Sequence, residues 1–143
     1  MSTEKSTRLF GTLIFNEDLD WFTGESLWIE ESVEVSFHVD QNNNIDAGLK
    51  VAETLWQHQD SWKERIEDYA VQELLMLKNE NWLEEGQDTI TPVEFKKLMK
   101  LQSIVFYPDG DFNFWYDDGD LFWGHSIAIS GNLEGLKDAD IPG

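Results

Sequence analysis

His125 is the residue whose neighbours most invite chemistry. It stands beside Ser126 and closely follows three carboxylates, Asp117, Asp118 and Asp120. A histidine oriented by a carboxylate can act as a general base. The same three carboxylates offer oxygen ligands to a divalent ion. The reaction class would be hydrolysis, metal-assisted if an ion is held. Against this, no G-x-S-x-G nucleophile elbow occurs in the chain. The balance favours a structural histidine, held in a sheet by a hydrogen bond to a neighbouring carboxylate.

Other candidate groups carry less. His38 sits on the outward side of an alternating strand and reads as solvated. His58 falls near the end of a helix, where a protonated ring suits the dipole. With no H-x-H, no H-E-x-x-H and no cysteine, the histidines make no zinc pattern. Asp109, Asp111 and Asn113 alternate as in a calcium loop, but Phe114 stands where glycine is needed and Asp120 where a bidentate glutamate is needed. Asp40, Asn42, Asn44 and Asp46 fail the same test, with Ile45 and Val51 at those places. Both stretches read as turns whose side chains bond their own backbone. Neighbouring acids such as Glu30-Glu31 and Glu84-Glu85 are uninformative among 29 acidic residues. No Walker loop and no G-x-G-x-x-G is present, so no cofactor is expected.

Seven tryptophans are too many for a small domain to bury completely. Trp115 and Trp123 stand beside the acidic run and would suit an aromatic surface rimmed by Asp117, Asp118 and Asp120. Such a surface exists only if the sheet face is left uncovered. Coverage of one face by helices and of the other by the N-terminal strands is the simpler expectation.

The elements that must position these residues follow from periodicity. Met1 to Arg8 is polar and reads as a flexible tail, with a single domain over residues 9–143. Leu9 to Phe15 is a first strand, Asn16 to Asp20 a turn, and Thr23-Gly24-Glu25 a second turn. Val33, Val35, Phe37 and Val39 alternate strictly with Glu34, Ser36 and His38, which makes the clearest strand. Helical spacing covers Ile45 to His58, with Asn44 as its cap, and resumes after Asp60 or Ser61 to about Lys78. Thr91, Pro92 and Glu94 form a capping box for a third, short helix. Strands return at Leu101–Tyr107, Asp111–Tyr116 and Leu121–Ser130, with a tight turn at Asp117 to Asp120, a bulge at Gly124 and a covering tail from Asn132. The expected class is α+β: an antiparallel sheet with N-terminal strands, two to three central helices and a C-terminal three-stranded meander.

Composition narrows the function classes. The chain has 143 residues and a formal net charge of −19. Aromatic content of 13% excludes global disorder. Such acidity argues against nucleic-acid and anionic-membrane partners and favours a basic protein. No apolar segment reads as a signal or a membrane span, so a cytoplasmic location is expected. The absence of cysteine excludes disulfides and thiol chemistry.

The string Gly119-Asp120-Leu121-Phe122-Trp123-Gly124-His125-Ser126-Ile127, with Tyr107 to Gly110 and Phe114 to Asp118 before it, resembles DUF2262, a bacterial family of unknown function. Phe10 to Leu13, Ala70 to Trp82 and Thr91 to Phe95 match as well, and Asp140 to Gly143 loosely. The resemblance implies a bacterial stand-alone domain and supplies no activity, cofactor or catalytic residue. The expected function is therefore a non-enzymatic acidic domain that binds a basic protein, similar to small immunity proteins in charge and size only. Its contacts would be Trp115, Asp117, Asp118, Asp120 and Trp123. The alternative is the hydrolase built on His125.

Overall fold

A computed structural model describes residues 3–142. The described chain folds as α+β, with eight strands in one sheet and three helices. Strands β1 (Glu4–Thr7), β2 (Gly11–Asn16), β3 (Trp21–Trp28) and β4 (Glu31–His38) form an antiparallel meander. Helices α1 (Asp46–Gln57), α2 (Gln59–Asn81) and α3 (Pro92–Leu98) follow. Strands β5 (Lys100–Phe106), β6 (Phe112–Asp117), β7 (Ile127–Asn132) and β8 (Gly135–Asp140) form a second antiparallel meander. The meanders join where β4 and β5 pair in parallel, Val35 opposite Ile104 and Phe37 opposite Phe106. The helices are the crossover that a parallel pair requires.

The alternation in β4 buries Val33, Val35 and Phe37, and β6 buries Phe112, Phe114 and Tyr116. These side chains face the helices, and successive residues face the other way. Helix α1 lies close over the parallel junction. A Cβ added at Gly48 would come within 3.2 Å of both Phe106 and Phe37, whose rings stack with centroids 4.9 Å apart. Glycine is thus used here for close approach. Helix α2 buries a stripe spaced by four: Trp62, Ile66, Ala70, Leu74 and then Lys78. The capping box of α3 forms in full, Thr91 accepting from the Glu94 N–H and Glu94 from the Thr91 N–H. Among the described residues, no helix is long and apolar enough to cross a membrane.

Several expectations need correction. Glu4–Thr7 is a paired edge strand where a tail was expected, and Met1 and Ser2 lie outside the described residues. Thr23-Gly24-Glu25 is mid-strand, because Gly24 makes room for the Leu13 side chain: a Cβ there would meet Leu13 Cδ2 at 2.7 Å. Helix α2 begins at Gln59 with neither Asp60 nor Ser61 capping it, and runs on to Asn81. Ile45 rather than Asn44 is the cap residue of α1, while the Asn44 carboxamide accepts the Asp46 N–H. Leu121 to Ser126 belong to a loop, and β7 starts only at Ile127. The segment from Asn132 does not cover the sheet but extends it as β8. Likewise the N-terminal strands extend the sheet sideways rather than covering its second face.

Candidate functional site

The loop between β6 and β7 gathers most of the residues singled out by the sequence. Asp118 organises it. Only 2% exposed, its carboxylate accepts three backbone N–H groups: Asp120 at 3.0 Å, Phe122 at 2.9 Å and Gly124 at 3.0 Å. A carboxylate that gathers amides in this way fixes a loop that has no ladder hydrogen bonds of its own. Asp118 was expected as a partner contact, yet its oxygens are committed to this backbone. The expected tight turn is present, with Leu121 N–H donating to the Asp118 carbonyl at 3.1 Å and positive φ at Gly119 and Asp120, but it closes no hairpin, since the chain then winds around the carboxylate and β7 starts only at Ile127.

The loop is also pinned to the helices. Phe122 is fully buried, with its ring 5.6 Å from Trp82 after α2 and 6.1 Å from Phe95 of α3. Gly119 takes φ +57°, and a Cβ on it would lie 2.4 Å from the Leu98 carbonyl oxygen at the end of α3. Lys78 lies beneath, 1% exposed, donating to the Trp82 carbonyl at 2.7 Å. Burial lowers its pKa, and the negative charges of Glu84 and Asp118 partly offset this. The next residue, Asn79, exchanges two hydrogen bonds with the Ile90 backbone at 2.7 and 3.0 Å, closing the segment after α2. Sequence reasoning missed Lys78 and Trp82. The signal was present for Lys78, which falls at the next fourfold position of the α2 stripe.

What the loop presents is Trp123. It is 53% exposed and sits at φ +58°, a left-handed conformation that costs a bulky residue about 1–2 kcal/mol. Its ring meets Trp82 edge-on at 4.8 Å, and Trp82 also meets His125 at 5.2 Å. His125 Nδ1 lies 2.7 Å from the Phe122 carbonyl oxygen. A carbonyl only accepts, so Nδ1 carries the hydrogen and Nε2 is left as the acceptor of the neutral ring. The expected orienting carboxylate is therefore replaced by a backbone carbonyl. Nor do Asp117, Asp118 and Asp120 converge: among the described residues no three His, Asp or Glu side chains are placed to hold a metal ion. In the other calcium-like stretches Asp40 and Asp109 accept backbone N–H groups two residues on, as turn residues do.

The remaining candidates lie elsewhere. Trp115 and Asp117 alternate with the buried Phe114 and Tyr116, so they point from the sheet face away from the helices. Trp115, half-buried there, faces Ser103 and Ala128 across the neighbouring strands. The five expected contacts thus divide between the open sheet face, a buried brace and the loop, where Asp120 and Trp123 are exposed.

His38 is on the open face too, but it is not simply solvated. Its ring stacks on Tyr107 at 4.9 Å and meets Trp21 edge-on at 4.9 Å. Burial between these rings lowers its pKa, with Asp20 partly offsetting the shift. Below its ordinary value of about 6.5 the unfolded chain takes up this proton first. Stability should therefore fall as pH drops from about 6.5 through the lowered folded value, and be free of this effect above. Urea titrations at stepped pH should show that slope, and His38→Phe should abolish it. An unchanged slope in the variant would assign it to other groups.

Residues 7–141 match the family model described as "Uncharacterized protein conserved in bacteria (DUF2262)". No curated protein and no solved structure matches the chain.

Proposed function

We propose, from the premise that the chain belongs to the bacterial family described as uncharacterized protein conserved in bacteria (DUF2262), that it is a cytoplasmic, non-enzymatic binding domain for a basic protein. The observation that carries this reading is Trp123, half exposed and held in a strained conformation by a loop built around a buried carboxylate. Strain of that kind persists only where surrounding structure enforces it, and it gathers at functional positions. A rigid tryptophan is also the commonest type of interface anchor. The Trp82–Trp123 pair offers ring faces to a lysine or arginine side chain, a contact worth about 0.5–2 kcal/mol. Exposed Asp117, Asp120, Glu84 and Glu85 surround these residues in the sequence, and a net charge of −19 would steer a cationic partner to them.

The test is retention of bacterial proteins on the immobilised domain, wild type against Trp123→Ala. The expected result is a basic protein held at low salt, released at high salt, and retained at least about tenfold less by the variant. The variant's unfolding midpoint should stay close to that of the wild type, because the ring is largely outside the core. Equal retention by both forms, or retention that ignores salt, would overturn the reading.

A further inference from the structure

The chain has 10 Lys and Arg residues, and four of them, Lys63, Lys96, Lys97 and Lys100, line a single cleft of about 360 Å³. That volume falls within the range of small-molecule sites. Lys63 projects from α2, Lys96 and Lys97 from the last turn of α3, and Lys100 opens β5. In a molecule of net charge −19, this is a local reversal of sign. Two of the four are neutralised within the fold, Lys63 by Glu67 and Lys96 by Asp68. Lys97 and Lys100 are exposed and have no ion-pair partner among the described residues. Glu31 also lines the cleft and, exposed like these two lysines, offsets part of their charge. The lining keeps an excess of ammonium groups, which suits an anion.

A second, independent observation points into the same cleft. Tyr116 lines it and is 3% exposed, yet its hydroxyl makes no hydrogen bond among the described residues. The hydroxyl is not one of the buried unpartnered atoms, so it opens onto the cleft, where a ligand accepting from it would take the place of water. Burial first, then the charges of Glu67 and Glu31, push its pKa up, so it remains a donor at any physiological pH. Trp28, Met99 and Leu101 supply an apolar wall.

We infer that this cleft is a binding site for a small phosphate monoester with an apolar body, whose phosphate is held by Lys97 and Lys100 and accepts a hydrogen bond from the Tyr116 hydroxyl. The site is separate from the Trp123 loop and does not depend on its role.

The probe is phenyl phosphate, titrated calorimetrically and by thermal shift, with inorganic phosphate as comparator. Saturable binding that raises the melting temperature is expected, tighter for phenyl phosphate than for phosphate. The Lys97→Gln/Lys100→Gln variant should bind at least about tenfold more weakly. Tyr116→Phe should also weaken binding by about tenfold while leaving the unliganded melting temperature unchanged or slightly higher, because the lost hydroxyl has no partner in the fold. A tyrosine that is only part of the core would move stability and leave affinity alone. No saturable binding, or binding undiminished in both variants, would overturn the site. Equal affinity for inorganic phosphate would overturn the apolar body.

Discussion

Asp118→Ala should remove about 3–5 kcal/mol of stability, a large share of what a domain of this size possesses. The carboxylate is buried and accepts from three amides at 2.9–3.0 Å, so truncation leaves those donors without partners inside the fold. It also removes a negative charge that partly offsets the burial of Lys78. The urea midpoint should fall steeply, and hydrogen exchange at the Phe122 and Gly124 amides should rise further than the global change explains, because these amides lose their acceptor directly. Asp118→Asn should fall between, since an amide oxygen still accepts but brings an N–H₂ group toward the same donors. A loss under about 1 kcal/mol for the alanine variant would mean that water can take over the role of the carboxylate.

Gly119→Ala should cost about 3 kcal/mol or more by a different route. The residue adopts φ +57°, and its Cβ would lie 2.4 Å from the Leu98 carbonyl oxygen and 2.9 Å from the Leu98 Cβ. The first of these contacts is backbone and cannot swing aside, so the loop must lift from α3 or α3 must shift. Equilibrium unfolding should show the loss, and tryptophan fluorescence should report the loop through Trp82 and Trp123, whose rings touch. If the variant unfolds like the wild type, the loop does not rest on α3 as closely as the geometry states. Both substitutions lie within the string that resembles DUF2262, which gives that string a structural reason independent of any ligand.

Legibility in the sequence followed solvent and partnering. Strand β4 and the buried face of β6 were readable because the side of each strand that faces the helices is apolar and packed while most alternate residues are polar, Ser36 being polar although fully buried, which imposes a period of two. Helix α3 was readable because its capping box is local chemistry among four residues. The edge strands β1 and β8 were not. Glu4-Lys5-Ser6-Thr7 and Gly135 to Asp140 are polar in the manner of protected sheet edges, and so carry little apolar alternation. The glycine of β3 answers to Leu13 on another strand, a reason invisible from its own neighbours. The loop after β6 misled most. Asp-Gly signalled a turn that is there, but not that the Asp118 carboxylate would turn inward to bind amides as far as six residues ahead and so keep the turn from closing a hairpin. Its contribution, like the burial of Lys78, is set by tertiary packing. At the candidate site, His125 and Trp123 were found from the sequence. Trp82, which stands against both, was not, because the contact spans two distant segments.

The parallel pairing of β4 with β5 has a consequence for how the molecule reaches this state. Neighbouring strands elsewhere in the sheet are joined by local connections, whereas residues 39–99 separate β4 from β5. Nearly all the contact order of the sheet is therefore concentrated in one seam. Hairpins close in microseconds, but bringing distant segments together costs chain entropy that only later contacts repay. The two meanders should form early as partial units, and the slow event should be their joining under α1, with Gly48 settling on Phe37 and Phe106. Truncating either phenylalanine should then slow folding itself, while truncating Leu13 or Ile129, each within one meander, should chiefly hasten unfolding.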